Sequence, residues 1–187
     1  MADIQTRRQS ARVAQKQKRS LDAPSEEAEA PSPKQTKTST PATKPLRVGD
    51  TLPSVELVDQ DGKTVNVGEL RKVVIFTYPK ANTPGCTRQA QCFRDASSDW
   101  KQAGYDIFGL SSDSPKAQST WAKKHALPYR LLSDPTRTVI GALTGTKAST
   151  KRSHFVVGED GTLTLSTVGV KPGESSSAAL MSVSPAQ

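Results

Sequence analysis

Hydrophobic and polar residues alternate on both sides of Asp61-Gly62 in the segment VELVDQDGKTVNV (Val55–Val67). Alternation is the period of a half-buried strand, and Asp-Gly is typical of the tight turn between antiparallel strands. The segment therefore predicts a β-hairpin. His154–Val157 and Thr162–Val168 flank a second Asp-Gly pair and predict another hairpin near the end of the chain.

Between the two hairpins, apolar runs alternate with segments of helical pattern. VVIFTY (Val73–Tyr78) is continuously apolar and only long enough for a buried strand. The elements predicted after it are a helix from near Thr83 towards Gly104, a strand over Tyr105–Leu110, a helix over Pro115–His125, a strand over Tyr129–Leu132 and a short helix over Thr136–Leu143. This order predicts an α/β domain with a mixed central sheet flanked by helices.

The two ends of the chain have a different pattern. Every aromatic residue lies between Phe76 and Phe155, and residues 1–45 are poor in large aliphatic side chains. Such a segment buries too little apolar surface to offset the entropy of ordering, so we expect a disordered tail over 1–45. The folded domain is predicted over 46–172. Residues 173–187 are rich in Ser and Ala and predict either a short helix around Ser175–Val183 or no regular structure.

Composition narrows the function classes. The 187 residues include 26 Lys and Arg against 18 Asp and Glu, a net charge of +8, and two cysteines. Two cysteines exclude a disulfide framework. No apolar run approaches the about 18 residues of a membrane-spanning helix, so no membrane association is expected. The start of the chain lacks the apolar stretch of a secretory signal, which favours an intracellular, reducing location.

Two basic clusters lie in the tail, Arg7-Arg8 and Lys16–Arg19. Exposed basic clusters suit an acidic receptor groove, so they predict a bipartite nuclear import signal and a nuclear location. A solvated arm without a specific role, in a cytoplasmic protein, is an open alternative, and so is a mitochondrial presequence. The same charges favour weak attraction to nucleic acid, but the tail has no aromatic side chains on which bases could stack.

The segment TYPKANTPGCTRQAQC (Thr77–Cys92) joins a buried strand to a helix, where reaction sites of α/β sheets are found. Thr83 fits the N-cap, with its hydroxyl accepting a free backbone N–H, and Pro84 fits the first helical position. Gly85 allows close backbone approach, and Cys86 then lies in the first turn, where the helix dipole favours the nucleophilic thiolate.

Other interpretations of the cysteines are disfavoured. Cys86, Cys92, His125 and His154 match no zinc-ligand spacing, and a C-x-x-C motif is missing. The two histidines are expected to be structural. Trp100 and Trp121 are core candidates, and Asp134 is expected to start a turn or cap the next helix.

Pro79, Thr83 and Cys86 stand in the P-x-x-x-T-x-x-C arrangement of peroxiredoxins. The chain resembles the peroxiredoxin Q, or bacterioferritin comigratory protein, subfamily from about Val48 to Val170, and Gly109–Pro135 and RSHFVV (Arg152–Val157) continue the resemblance. The basic extension is similar to that of fungal nuclear thiol peroxidases of this subfamily.

The resemblance implies a thioredoxin fold and the reduction of hydrogen peroxide and organic hydroperoxides without metal, haem or other cofactor. It also implies a monomer that thioredoxin recycles. By position, the resemblance makes Cys86 the peroxidatic thiol, which Thr83 orients together with the peroxide and Arg152 activates together with the peroxide. It also implies that Pro79 excludes water from the thiolate and that Gln89 supports the arginine. An arginine beside the thiolate would also stabilise the charge on the leaving oxygen, and the product would be a Cys86 sulfenic acid.

The sequence departs from the subfamily at the second cysteine. The resolving cysteine usually follows the peroxidatic one by five residues, but Gln91 occupies that place and Cys92 is the sixth. Six helical residues rise about 9 Å, beyond the Cα separation of about 7 Å that a disulfide tolerates. We therefore expect a Cys86–Cys92 disulfide that needs local unfolding. The alternatives are a one-cysteine cycle and a nuclear redox sensor.

Overall fold

The computed structural model describes residues 44–183 of the chain. Residues 1–43 and 184–187 lie outside the described residues, and with them the predictions of a disordered tail and an import signal. Among residues 44–183, no helix has the length and apolar composition that crossing a bilayer requires.

Within residues 44–183, seven strands and five α-helices follow the order that the hydrophobic pattern predicts, except that one predicted helix is divided into two. The strands are β1 (Glu56–Asp59), β2 (Thr64–Asn66), β3 (Val73–Thr77), β4 (Asp106–Ser111), β5 (Arg130–Ser133), β6 (Ser153–Val157) and β7 (Leu163–Val168). The helices are α1 (Pro84–Asp95), α2 (Ser97–Gln102), α3 (Pro115–His125), α4 (Thr138–Thr144) and α5 (Ser175–Met181), with a 3-10 turn at Val67–Glu69.

The strands form one mixed sheet in the order β2-β1-β5-β4-β3-β6-β7. β3 pairs in parallel with β4, and β4 with β5, whereas the remaining pairs are antiparallel. Both predicted hairpins are present as β1–β2 and β6–β7. The predicted α/β architecture with a mixed central sheet is confirmed.

β3 lies inside the sheet and buries both faces, which explains its uninterrupted apolar sequence. Val73 and Ile75 join the core on one side, whereas Val74, Phe76 and the following Tyr78 join the core on the other.

Helix α1 packs against the second of these faces, because the core that contains Phe76 also contains Cys86, Ala90 and Phe93. The rings of Phe76 and Phe93 stack with their centroids 4.5 Å apart. This packing fixes α1 over the end of β3.

The structure corrects one predicted element. A single helix towards Gly104 was expected, but α1 ends at Asp95 and α2 starts at Ser97. Ala96 between them has φ −90° and ψ 11°, outside the helical range. No Gly or Pro marks this break, and only the serines that follow, which favour helix starts, distinguish it in the sequence.

The open prediction for the C-terminal segment resolves as a helix. α5 covers Ser175–Met181 and buries Ser175, Ser176 and Ala179. Residues 173–183 therefore belong to the folded unit.

The prediction that Asp134 starts a turn or caps the next helix is also confirmed. Its carboxylate accepts the backbone N–H groups of Thr138 and Ile140, both at 2.9 Å.

Candidate active site

Cys86 lies in the first turn of α1, as the sequence predicts. Pro84 is the first helical residue, so Cys86 is the third, and its side chain is fully buried. Thr83 has the extended backbone of an N-cap, with φ −99° and ψ 152°. Its hydroxyl, however, does not accept a backbone N–H of α1. It donates to the carbonyl of Lys80 at 2.9 Å, so the predicted capping bond is wrong although the position is right.

Arg152 precedes β6 and reaches across to the start of α1. Its Nη2 donates to Sγ of Cys86 at 3.5 Å, and its Nη1 donates to the carbonyl of Gly85 at 3.2 Å and to Oε1 of Gln89 at 2.9 Å. Gln89 is buried and Arg152 half-buried. A partly desolvated guanidinium and a helix N-terminus therefore both favour negative charge on the Cys86 sulfur.

The absence of a side chain at residue 85 makes room for this guanidinium. A Cβ on Gly85 would lie 3.1 Å from Nη2 of Arg152, closer than most contacts of that kind. The close approach expected at Gly85 is therefore the approach of Arg152 rather than of another backbone segment.

The loop between β3 and α1 is held by a carboxylate on the neighbouring strand connection. Oδ2 of Asp113 accepts the backbone N–H of Ala81 at 2.7 Å and the hydroxyl of Ser111 at 3.0 Å. Asp113 follows β4, which pairs with β3 in parallel, so both strands end at the same sheet edge. Sequence reasoning missed Asp113, although its place directly after a predicted strand is a usable signal.

Tyr78 lies below the same loop as a neutral hydroxyl. Burial raises its pKa well above the ordinary value, and nearby Asp113 and Cys86 raise it further. Its oxygen accepts a hydrogen bond from Nε2 of Gln118 at 3.1 Å. The neutral Tyr78 hydroxyl therefore adds no charge of its own near Cys86.

Residues 48–166 match the AhpC/TSA family. The chain belongs to this family. The matched residues agree closely with the extent of the resemblance seen in the sequence, and the predicted family is confirmed.

Relatives of this AhpC/TSA chain carry peroxiredoxin names. It is 39% identical over 117 residues to peroxiredoxin bcp1 of Schizosaccharomyces pombe. This match covers 59% of this chain and 60% of the relative. It is 46% identical over 92 residues to peroxiredoxin Bcp of Escherichia coli strain K12, covering 48% and 59%. The matched segment thus spans about three fifths of each of these curated relatives.

A solved structure agrees in fold. Peroxidoxin BcpB from Mycobacterium tuberculosis superimposes with a TM-score of 0.67 and 31% identity, over 74% of this chain and 96% of that chain. The α/β fold expected from the resemblance is thereby confirmed as the thioredoxin-type fold of peroxiredoxins. Family and fold together indicate a thiol peroxidase.

The second cysteine of this AhpC/TSA chain lies on the same helix as the first. Cys86 and Cys92 are both free thiols within α1. Cys92 is half-buried, and its sulfur is 3.8 Å from the carbonyl of Gly173, just before α5. Since six helical residues separate the two thiols by about 9 Å along the axis, they cannot bond while α1 is intact.

Pro79 and Gln89 are two further residues to which the resemblance gives a role in the site. Pro79 follows Tyr78 and is exposed, so the shielding role expected for it stays a prediction. Gln89 contacts Arg152 as expected, and it also donates from Nε2 to the hydroxyl of Ser175 at 3.1 Å. Sequence reasoning missed Ser175, because a serine within the run ESSSA carries no local signal.

The other predicted structural residues are buried or bonded. Trp100 and Trp121 are core residues. His154 is buried, and its Nδ1 is 3.2 Å from the Ser175 hydroxyl. Within residues 44–183, no three His, Cys, Asp or Glu side chains are grouped as metal ligands.

Proposed function

We propose that this protein is a thiol-dependent peroxidase whose reacting group is Cys86. The observation that carries the proposal is the 3.5 Å contact from Nη2 of Arg152 to the sulfur of Cys86 in the first turn of α1. A guanidinium and a helix N-terminus stabilise a thiolate, and the thiolate is the nucleophile. Membership of the AhpC/TSA family implies a hydroperoxide as substrate and a thiol as reductant.

The chemical step is a displacement at oxygen. The Cys86 thiolate attacks the terminal oxygen of the hydroperoxide, the S–O bond forms, and the O–O bond breaks. The sulfur is oxidised to the sulfenate level, and the departing hydroxide or alkoxide leaves with the bonding pair and takes up a proton as water or alcohol. Negative charge develops on that oxygen, and Arg152 is the fixed cation that stabilises it.

Thr83 is proposed to orient the peroxide. Its hydroxyl proton is committed to the carbonyl of Lys80, so the oxygen keeps lone pairs as an acceptor. The protonated oxygen of a hydroperoxide can donate to it. Pro79, in the same loop, is proposed to limit the access of water to the reacting atoms.

Cys92 is proposed to resolve the sulfenic acid. Its thiol attacks the Cys86 sulfur, water leaves, and the resulting disulfide is reduced by the dithiol of thioredoxin. The first turns of α1 must unwind for this step, because the helix keeps the two thiols apart. In the alternative one-cysteine cycle, an external thiol attacks Cys86 directly.

Mass spectrometry of the peroxide-treated protein tests both steps. Wild type should lose two hydrogens as a Cys86–Cys92 disulfide, whereas Cys92→Ser should accumulate a sulfenic acid on Cys86 that dimedone traps. Dimedone on any residue other than Cys86 would contradict the site. Unchanged thioredoxin-dependent turnover in Cys92→Ser would favour the one-cysteine cycle.

A nuclear location and a monomeric state are further proposals. Relatives of this chain include a fungal peroxiredoxin bcp1, a bacterial peroxiredoxin Bcp and a peroxiredoxin Q named as chloroplastic, so the location varies within the family. Support for the nucleus comes from the clusters Arg7-Arg8 and Lys16–Arg19, which suit an import receptor. Replacing these basic residues with Ala in the full chain should abolish nuclear accumulation and leave the peroxidase rate unchanged. Nuclear accumulation that survives the replacement would contradict the proposed signal.

A further inference from the structure

A continuous hydrogen-bonded series of side chains extends from Cys86 into the C-terminal part of the fold. Arg152 donates to Cys86 at 3.5 Å and to Oε1 of Gln89 at 2.9 Å. Nε2 of Gln89 donates to the hydroxyl of Ser175 at 3.1 Å, and that hydroxyl is 3.2 Å from Nδ1 of His154. We call these residues the arginine relay: Arg152, Gln89, Ser175 and His154.

The directions of the first two hydrogen bonds in the relay follow from its first member. A guanidinium can only donate, so the Gln89 amide must direct its oxygen at Arg152 and its NH₂ at Ser175. The Ser175 oxygen accepts that bond, and its own proton is then free to go to Nδ1 of His154. This requires a neutral His154 that carries its proton on Nε2.

Beyond the half-buried Arg152, the relay is almost fully shielded from water. Gln89 and Ser175 are completely buried, and His154 is 2% exposed. A buried polar group that loses its partner is costly, because no water replaces the partner. The amide orientation of Gln89 is therefore set by Arg152 on one side and by Ser175 and His154 on the other.

We propose that Ser175 and His154 are positioning residues for the peroxidase reaction, which hold the Gln89 amide and through it the Arg152 guanidinium against Cys86. This inference rests on the proposed function of Cys86. It gives α5, which carries Ser175, a role in the reaction through Gln89 and Arg152. It also assigns a function to His154, which sequence reasoning treats as structural only.

The surroundings of His154 favour its neutral form. It faces Leu165 and Thr167 of β7 and Ala178 of α5, together with two charged groups outside the core, Lys171 and Glu174. Those two pair with each other at 3.4 Å and are exposed. Arg152, two residues earlier in the chain, adds a positive charge. Burial lowers the pKa of His154 from its ordinary value of 6.5.

Protonation of His154 would reverse the last bond of the relay. Nδ1 would become a donor, and the proton of the buried Ser175 hydroxyl would lose its acceptor. We therefore expect acid pH to weaken the hold on Gln89 and slow the reaction with peroxide. A variant without a titratable group at position 154 isolates this effect from any other pH-dependent step.

Adjacent serines of α5 provide a matched pair for the first test. Ser175 belongs to the relay, whereas Ser176, buried to 2% exposure, accepts a hydrogen bond from Nε1 of Trp100 at 3.2 Å. Each variant to Ala removes one hydroxyl from the same helix. Ser175→Ala should lower the second-order rate constant of Cys86 with hydrogen peroxide about tenfold, and Ser176→Ala should leave it unchanged. Thermal unfolding of both variants measures the structural cost separately.

Two variants of His154 provide the second test. His154→Leu removes the acceptor and should slow the peroxide reaction as Ser175→Ala does. His154→Asn offers an amide oxygen near the place of Nδ1, so it should restore most of the rate and remove the additional acid inflection from the pH profile.

The outcomes separate the inference from the proposed function. If wild-type Cys86 does not react with peroxide, the proposed function fails. If wild type reacts but Ser175→Ala and Ser176→Ala have equal rates, or His154→Asn keeps the wild-type acid inflection, the relay inference alone is overturned.

Discussion

At the scale of single residues, Arg152 connects three acceptors with one side chain. Its guanidinium donates to the sulfur of Cys86, the carbonyl of Gly85 and the amide oxygen of Gln89. A planar fork of five N–H donors can serve three acceptors in fixed directions, whereas a lysine ammonium is a point charge on a flexible stem. The geometry at the thiolate therefore depends on the residue type as well as on its charge.

Arg152→Lys tests this dependence. It keeps the charge but loses the fork, so we expect the rate constant of Cys86 with hydrogen peroxide to fall on the order of a hundredfold. Stopped-flow fluorescence under single-turnover conditions measures that constant. Arg88→Lys makes the same change at an exposed arginine of α1, the helix that carries Cys86, and serves as the control. Equal rates in the two variants would contradict the role of Arg152.

Gly85→Ala changes the same contact without touching a reacting group. The added methyl would press on Nη2 of Arg152, because its carbon would lie only 3.1 Å from that nitrogen. We expect the peroxide rate constant to fall about tenfold. The free energy of unfolding should not fall by more than about 1 kcal/mol, because Ala is the better helix former. A lower free energy of unfolding with an unchanged peroxide rate constant would contradict the role of the Gly85–Arg152 contact in the reaction.

A residue of the site could be predicted where the sequence around it, or a family motif that contains it, indicates its role. Thr83, Pro84 and Cys86 follow from the rules of helix starts, and Arg152 and Gln89 from the resemblance. The hydroxyl of Thr83 was predicted wrongly, because its turn offers the carbonyl of Lys80 as a competing acceptor. Ser175 was missed because it lies 86 residues beyond its partner Gln89.

At the scale of elements, the proposed two-cysteine cycle needs α1 intact for one step and unwound for the next. The reaction with peroxide needs its N-terminal turn intact, whereas a Cys86–Cys92 disulfide needs that turn to open. Side chains outside the helix hold it in place. The hydroxyl of Tyr129 donates to the carbonyl of Ala90 at 2.6 Å, and Nε1 of Trp121 donates to the hydroxyl of Thr87 at 3.2 Å. These contacts set part of the cost of unwinding.

Tyr129→Phe should therefore accelerate disulfide formation. Burial raises the pKa of Tyr129 well above its ordinary value, so the hydroxyl is always present as a donor. A hydrogen bond of this kind contributes about 1 kcal/mol, so its loss should speed closure of the Cys86–Cys92 bond about fivefold. Tyr105→Phe, at a ring that lies against Trp100, is the control. The rate is measured by acid quenching and mass spectrometry after one equivalent of peroxide. A slower closure in Tyr129→Phe would show that this bond does not restrain α1.

Element types were predictable from the hydrophobic period, but one boundary was not. The helix breaks at Ala96 through a change in backbone angles, and the sequence has no Gly or Pro there to indicate it. For α5, the pattern was too short and too polar to decide, and its burial comes from contacts with distant residues such as Trp100.

At the scale of the molecule, the sheet divides the core into two layers, and the site belongs to one of them. Cys86 and Phe93 of α1 and Ala179 of α5 pack on one face, whereas β1, β2 and α4 contribute to the core on the other. The sequence predicted strands and helices but not the order β2-β1-β5-β4-β3-β6-β7, because pairing between distant strands leaves no periodic signal. The nuclear import signal at Arg7-Arg8 and Lys16–Arg19 stays a prediction.

His154 links the stability of the molecule to pH. Its pKa is lowered by burial, so the unfolded chain binds a proton near pH 6.5 while the folded chain stays neutral until a lower pH. In that window the unfolded state binds more protons, and the free energy of unfolding falls as the pH falls. As the pH is lowered below 6.5, the melting temperature of wild type should fall. The melting temperature of His154→Asn should fall by a smaller amount. Identical pH profiles for the two proteins would contradict this contribution.

The most direct test of the account is peroxide reduction coupled to thioredoxin, measured side by side for wild type, Cys86→Ser and Cys92→Ser. Cys86→Ser should consume no peroxide above the background rate, because it removes the nucleophile. Cys92→Ser should still consume one equivalent of peroxide but lose most of its thioredoxin-dependent turnover. Peroxide consumption by Cys86→Ser at the wild-type rate would contradict the assignment of the reaction to this site.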